Sequence, residues 1–199
     1  MNYSNPRMNP HTDSGHENKE MLIKEIDKIA SLGKRGAEFH EHLATELNRH
    51  GGLRGYAWLH RPEAMEDHKW LSKLKKITMD RLKHHAKIDR SHMTEVDGYL
   101  ISNTQDFKAS FPKWIGYEKE LAEAISKAIE LSRNIDLQIY SCLIEKGDEL
   151  HEEIMRARNV YDNLEFAGWN PHHVVVVSKW IHEQRESNPG SLDINIRIR

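Results

Sequence analysis

The stretch LAEAISKAIELSRNIDLQIYSCLIEKGDELHEEIMRARNVYDNL, residues 121–164, decides the fold class. Steps of three and four along it define one face of a helix, and the positions on that face are Leu121, Ile125, Ala128, Ser132, Ile135, Ile139, Leu143, Lys146, Leu150, Ile154, Ala157, Tyr161 and Leu164. An unbroken helix over residues 117–164 would be about 70 Å long, whereas a compact chain of this size has a radius of gyration of about 16 Å. The pattern therefore predicts either a break near Gly147 or an elongated molecule that buries this face against another chain.

Three further segments have helical spacing or helix-boundary signals. A first helix is expected over residues 19–49, where Gly51 and Gly52 stop it. A second is expected from Pro62, a residue suited to a first helical turn, to about Val96. A short fourth helix is expected over residues 171–186, capped by Asn170. The predicted fold class is all-α: an elongated antiparallel bundle of three long helices plus a short C-terminal helix.

The two ends of the chain differ in composition from the middle. Residues 1–18 are rich in Asn, Pro, Ser and His and have no apolar periodicity, which predicts a disordered lead-in. The end of the chain, DINIRIR, alternates Ile with polar residues like a strand, although no other strand is expected. We therefore predict a lead-in over residues 1–18, a helical-bundle domain over 19–187 and an extended tail over 188–199.

Charge and cysteine content limit the function classes. The formal net charge is −2, so no bulk basic field is present to attract nucleic acid, and a nucleic-acid partner is not expected. The single cysteine, Cys142, allows no intrachain disulfide and favours a reducing, intracellular location, taken as the cytoplasm. No apolar run approaches the roughly 20 residues of a membrane-spanning helix, so a membrane association is not expected either.

One segment of the second predicted helix carries residues that bind metals. His85, Asp89 and His92 continue its apolar face, so on that helix they would point into the core. Two imidazoles and a carboxylate suit Fe, Mn or Zn, and helix bundles complete such sites with carboxylates from facing helices. A structural His–Asp ion pair is the alternative.

Additional ligands for that site would have to come from other helices. Asp136 and Glu153 flank the apolar face of the third predicted helix and are the available carboxylates. His40 is a further candidate on the first helix, but the simplest antiparallel hairpin places it opposite about residue 73. That position is about 18 Å from His85 along the axis, which favours a separate core histidine.

A second pattern consists of carboxylates only. Glu120-x-x-Glu123 followed by Glu145-x-x-Asp148 resembles the paired carboxylates with which all-α nucleotide pyrophosphohydrolases hold magnesium. The resemblance covers fewer than 30 residues. On a continuous helix these side chains would face solvent, so the chain would have to fold back between the pairs.

Three functions follow from these patterns. The first is a non-enzymatic interaction or assembly protein, with a protein partner or as a homo-oligomer. It would act through the long helix, the extended termini and the aromatic residues near the connections, which are Trp58, Trp114, Tyr117 and Trp169. The second is a ferritin-like or other helical-bundle metalloprotein with a non-haem Fe, Mn or Zn site. The third, implied by the resemblance above, is a magnesium-dependent nucleotide pyrophosphohydrolase. Whether the chain is an enzyme is left open.

Overall fold

A computed structural model describes residues 10–91 and 100–187 of the chain. These residues form five α-helices and one short 3-10 helix: α1 (Pro10–Arg49), the 3-10 helix (Arg54–Tyr56), α2 (Ala57–Leu82), α3 (Thr104–Ser132), α4 (Leu137–Phe166) and α5 (Pro171–Ser187). The all-α helical bundle predicted from the sequence is confirmed. Four of the helices are long, rather than the three that were predicted.

The four long helices pack as two antiparallel hairpins. α1 packs on α2 and on α3, and α3 packs on α4. Successive contacts run in opposite directions along α1 and α2: Gly33 lies against Leu71, Gly36 against Asp67 and His40 against His60. α5 closes one end of the bundle, where Tyr56 donates a hydrogen bond to the Val174 carbonyl (3.0 Å) and the Gly55 N–H donates to Ser178 Oγ (2.9 Å).

The long helix expected over residues 117–164 is broken. The break lies at residues 133–136, and not near Gly147, which is inside α4. The Ser132 carbonyl accepts the N–H groups of Ile135 (2.9 Å) and Asp136 (3.0 Å), which closes a turn. The Asp136 carboxylate then accepts the N–H groups of the first turn of α4 and caps that helix. Helical periodicity continued through this turn in the sequence, so the spacing alone concealed it.

The bounds predicted for the second helix are wrong at both ends. α2 begins at Ala57, directly after the 3-10 helix, and ends at Leu82, because Lys83 adopts the left-handed conformation (φ 57°). Beyond Lys83 the chain lies along α1. Asp27 Oδ1 accepts the Lys87 N–H (2.7 Å) and contacts the His84 ring (2.7 Å), and Ser31 Oγ accepts the Asp89 N–H (2.9 Å). These side chains replace the bonds that a longer helix would have supplied.

The segments at the two ends of the chain agree with the prediction in part. The fourth predicted helix is present as α5, and Asn170 Oδ1 accepts the His172 N–H (2.9 Å) as its cap. α1 begins at Pro10, so residues 10–18 of the predicted lead-in are helical. Residues 1–9 and the predicted tail at 188–199 lie outside the described residues. Among the helices that the structure describes, none combines the length with the apolar composition that a membrane-spanning segment needs.

The core consists of two apolar clusters that lie at different levels along the bundle. One contains Phe39, Leu43, Tyr56, Phe107, Trp114, Val160 and the inner face of α5. The other contains Leu22, Ile26, Leu74, Leu121, Ile125, Ile139 and Leu143. Where the two clusters meet, each of the four long helices contributes at least one buried charged or polar side chain. This layer is where a functional site could lie.

Candidate metal centre

A buried layer of titratable side chains crosses the middle of the bundle. Its members are each at most 3% exposed: His40 on α1, His60, Glu63 and Asp67 on α2, Glu118 on α3, and Lys146 and Glu153 on α4. They point inward because they stand at helix positions whose neighbours one turn away are apolar and buried. We call these seven residues the charged layer. Burial of this many ionisable groups requires mutual pairing or a bound ion.

Three members of the charged layer converge as ligands could. One nitrogen of His40 and one oxygen each of Glu118 and Glu153 all lie within 4.8 Å of one another. His40 Nε2 is 3.0 Å from Glu118 Oε1. Glu153 Oε2 is buried and has no hydrogen-bond partner. A buried carboxylate oxygen without a partner is costly, so this group is short of one cation or donor.

His60 holds the imidazole of His40 from the other side. The two Nδ1 atoms are 2.9 Å apart, so one ring donates to the other. Burial, with the charge of His40 next to it, lowers the pKa of His60 well below its ordinary value, so His60 is neutral. Burial also lowers the pKa of His40, but the hydrogen bond and charge of Glu118, with the charges of Asp67 and Glu63, leave that pKa raised. His40 can therefore donate from Nδ1 to His60 and from Nε2 to Glu118, and Nε2 would lose its proton on binding a metal ion.

Lys146 occupies a second group of carboxylates. Its Nζ lies 2.7 Å from Asp67 Oδ1, 3.0 Å from Glu149 Oε1 and 3.2 Å from Glu153 Oε1. Burial would lower the pKa of Lys146, but Glu153, Asp67 and Glu149 raise it far above its ordinary value. The side chain is thus an ammonium ion. Asp67, Glu149 and Glu153 are themselves close enough together to hold a metal ion, and the ammonium already lies among them.

A third group of carboxylates is neutralised in a similar way. Glu63, Glu66 and Glu149 are near enough to share an ion, but the Arg156 guanidinium donates to Glu63. At the edge of the layer, the charge of Arg185 on α5 acts on Glu63 and Glu66. Two of the three carboxylate groups therefore contain a cationic side chain. The group with His40 contains no Lys or Arg side chain of its own, but the raised pKa of His40 favours its cationic form beside Glu118.

The charges of the layer do not balance. Among the described residues, four carboxylates are buried in it (Glu63, Asp67, Glu118 and Glu153), and Lys146, Arg156 and His40, whose pKa is raised, supply three positive charges. Glu149, which is half-buried, adds one more negative charge. Arg185 and Glu66 add one positive and one negative charge, which cancel. Burial raises the pKa of Glu63, Asp67 and Glu153 in spite of these cations. At least two negative charges thus need protons or a further cation.

The residues of the predicted metal site do not lie on a buried helix face in the described part of the chain. His85 and Asp89 are exposed on the non-helical segment after α2, and Asp89 accepts from the N–H and Oγ of Ser91. His92 lies outside the described residues. Asp136 caps α4 and pairs with Arg81 (2.6 Å). Of the additional candidates, His40 and Glu153 do come together.

The expected position of His40 opposite about residue 73 is wrong, because α2 starts earlier than expected and brings His60 into contact. Sequence reasoning also missed Glu118 and the role of Lys146. The sequence does contain a signal for Glu118 and for Lys146, which is their position on an otherwise apolar helix face. Lys146 stands on the apolar face of the third predicted helix, and Glu118 lies three residues before Leu121 on the same face.

The carboxylates of the magnesium pattern stay apart from the charged layer. The chain does fold back between the two pairs, at residues 133–136, but all four side chains are exposed. Glu120 pairs with Arg35, and Glu145 pairs with Lys73. None of the four belongs to the three groups that the described residues bring within ligand distance of one another. The fold therefore gives no geometric support to a magnesium site there.

Comparison with known proteins identifies the fold. No family model matches the chain, and no curated protein matches it significantly. Among solved structures, an open-pore ferritin from the hyperthermophilic archaeon Archaeoglobus fulgidus superposes with a TM-score of 0.66 at 16% identity, over 82% of this chain and 96% of that one. A humanized archaeal ferritin gives the same values. A closed form of the Archaeoglobus fulgidus ferritin, made by site-directed mutagenesis, also has a TM-score of 0.66 at 16% identity, over 82% of this chain and 95% of that one. The likeness establishes the fold: this chain is a helical bundle of the kind seen in these archaeal ferritins.

Proposed function

We propose that this chain is a metal-binding helical-bundle protein that holds one divalent transition-metal ion between His40, Glu118 and Glu153, with Fe²⁺ as the first candidate and Mn²⁺ or Zn²⁺ as alternatives. The observation that carries the proposal is the unpartnered buried oxygen of Glu153 next to a His–Glu pair. The His85, Asp89 and His92 site stays a separate prediction, to be tested by the same measurement.

The types of His40, Glu118 and Glu153 and the spacing of their ligand atoms fit a bound metal ion. Two ligands at about 2.1 Å from an ion, at angles of 90–109°, lie about 3.0–3.4 Å apart, and His40 Nε2 lies 3.0 Å from Glu118 Oε1. One imidazole and two carboxylates suit iron, manganese and zinc. A divalent ion that replaces the Nε2 proton of His40 would add one net positive charge and would reduce the negative excess of the layer from two to one. When bound, the ion would supply Lewis acidity, and for iron also redox chemistry.

The fold supports the metal-binding function in general. In ferritin-like carboxylate proteins, the bundle core holds two metal ions with a Glu from each of two helices and a Glu-x-x-His pair from each of the other two. The likeness to archaeal ferritins supports iron on this ground. This chain departs from that ligand pattern. Neither α2 nor α4 contains Glu-x-x-His, and α4 has Glu153-x-x-Arg156 instead.

The interaction function is supported less well. It depended on one long unbroken helix, and the break at residues 133–136 removes that feature. Two of the aromatic residues expected to form contacts, Trp114 and Trp169, are buried in the core. The predicted head and tail lie at or beyond the ends of the described residues. Association with a protein partner or with further copies stays a prediction, and a monomer by light scattering at high concentration would contradict it.

Metal analysis of the untagged protein tests the proposed function. After loading with Fe²⁺ under anaerobic conditions and removal of free ions, we expect one ion per chain in the wild type. We expect none in His40→Ala or Glu153→Gln. His85→Ala, on an exposed histidine, is the matched control and should keep the ion. An unchanged ion content in both layer variants would rule out this site, and loss of the ion in His85→Ala alone would favour the site predicted from the sequence.

A further inference from the structure

The ammonium of Lys146 lies where a second metal ion would be held. Its three neighbours, Asp67, Glu149 and Glu153, are all carboxylates, at 2.7–3.2 Å from Nζ. The same three residues place one oxygen each within 4.8 Å of the others, as ligands of one ion do. Lys146 itself is fully buried, so its charge is not shared with solvent.

Glu153 joins this position to the proposed metal site. Its Oε1 accepts from Lys146 (3.2 Å), while its Oε2 is buried without a partner. The carboxylate also belongs to the group with His40 and Glu118. One carboxylate thus faces two adjacent cation positions, of which one already contains a positive charge.

We propose that the Lys146 ammonium permanently occupies the second of two adjacent cation positions, so that the centre takes a single metal ion instead of two. This inference rests on the proposed function. A divalent ion at the Lys146 position would be repelled by the ammonium and would find its carboxylates already engaged. Arg156 has a similar effect on the group formed by Glu63, Glu66 and Glu149. Its guanidinium donates to Glu63 and neutralises the charge that would otherwise attract an ion.

The proposal predicts the metal stoichiometry of a Lys146 variant. Lys146→Ala removes the charge and frees the volume of the side chain among three carboxylates. Titration of the full-length metal-free protein with Mn²⁺ should then give two ions per chain, against one in the wild type. Electron paramagnetic resonance should show an isolated Mn²⁺ ion in the wild type and a coupled pair in the variant. Lys127→Ala, on an exposed lysine of α3, should behave as the wild type.

The outcomes separate this inference from the proposed function. One ion in both proteins contradicts the role of Lys146 but leaves the proposed site intact. Two coupled ions in the wild type also contradict it. No bound ion in the wild type contradicts the proposed function itself. If Lys146→Ala does not fold without metal, it can be folded in the presence of Mn²⁺ and freed of unbound ions before the ion content is measured. Two bound ions per chain are then expected, and a single ion would overturn the role of Lys146.

Discussion

At the scale of single residues, Glu153 is the least satisfied member of the charged layer. Burial raises its pKa well above the ordinary value, with Glu118 adding to the effect and Lys146 opposing it. Its Oε2 has no partner, whereas Oε1 shares Lys146 with Asp67 and Glu149. A group in this position destabilises the metal-free protein, and its retention in the core is understandable if it serves to bind an ion.

Glu153→Gln should therefore stabilise the metal-free protein while it abolishes metal binding. The uncharged isostere removes the penalty of an unsatisfied buried group, which is about 1–3 kcal/mol, and Lys146 keeps its other two acceptors. Urea denaturation at neutral pH in the presence of a chelator measures the change. Glu152→Gln, on the exposed neighbour, should alter the free energy of unfolding by less than about 0.5 kcal/mol. A metal-free Glu153→Gln protein that is less stable than the wild type would contradict this account.

His60 is expected to act on the metal only through His40. The Nδ1–Nδ1 hydrogen bond of 2.9 Å fixes the orientation of the His40 ring, and loss of such a partner typically costs about 10–100-fold in metal affinity. His60→Ala should thus weaken binding by that factor but leave the stoichiometry at one ion. Isothermal titration with Mn²⁺ measures both quantities. His151→Ala, on an exposed histidine of α4, is the control, and equal affinities in the two variants would exclude the orienting role.

At the scale of helices, the break between α3 and α4 depends on Asp136. Burial would raise the pKa of this carboxyl, but the hydrogen bond from Arg81, with the N–H groups of Ile139 and Gln138, leaves that pKa lowered. A lowered pKa in the folded state contributes stability above the unfolded value, and this stability is lost as the pH falls through the folded value. Asp136 therefore stabilises the turn at neutral pH and less so in acid.

Two substitutions separate capping from charge at this position. Asp136→Ala should lose about 0.5–2 kcal/mol for the missing cap, together with the pair to Arg81. Asp136→Asn keeps a capping oxygen and should lose less. The difference between the wild type and Asp136→Asn should shrink as the pH falls below about 4, because the wild-type carboxyl then becomes protonated. Denaturation curves at pH 7 and pH 3 test this, and a difference that is independent of pH would show that the charge is unimportant.

Alanine substitutions at two glycines should have opposite effects on the thermal stability of the protein. A Cβ at Gly147 would contact Ile125 and Ile129 at 3.7–3.9 Å, which is ordinary packing, whereas one at Gly55 would lie 1.7 Å from the Ser178 carbonyl oxygen. Gly147→Ala should thus stabilise α4 by up to about 1 kcal/mol, seen as a rise in Tm of about 2–4 °C. Gly55→Ala should lower the Tm because it pushes α5 off the bundle. A lower Tm for Gly147→Ala would mean that the close packing of α3 on α4 needs the glycine.

The helical content was predictable from the sequence, but the register between helices was not. Periodicity gives the faces of α1, α4 and α5, because apolar spacing depends only on the helical period. It does not locate a turn that preserves the period, such as the one before Asp136. Nor does it reveal that α2 starts at Ala57 and not at Pro62, and this difference of five residues decides whether His40 meets His60. The segment with His85 does not continue α2 for a related reason: Asp27 and Ser31 of α1 hold it in a non-helical path.

At the scale of the whole molecule, the charged layer separates two apolar clusters that could otherwise join into one core. Each cluster packs side chains from three or more elements, so the bundle does not need the layer to hold its helices together. Buried ion pairs are also often no more stabilising than apolar residues of similar volume. We therefore expect that the layer is present for binding and that it lowers the stability of the metal-free fold.

Replacing the central ion pairs tests this expectation directly. A triple variant with Asp67→Leu, Lys146→Met and Glu153→Met should be more stable than the metal-free wild type by about 1–4 kcal/mol and should bind no ion. Lys146→Met alone should lose about 3–5 kcal/mol, because Asp67 and Glu153 then remain buried without their cation. Part of that loss should be recovered when Mn²⁺ is added to the single variant, since an ion can replace the ammonium, and none when it is added to the triple variant. Chemical denaturation with and without Mn²⁺ gives all of these values. A triple variant less stable than the single one would mean that the charged layer itself holds the four helices in register.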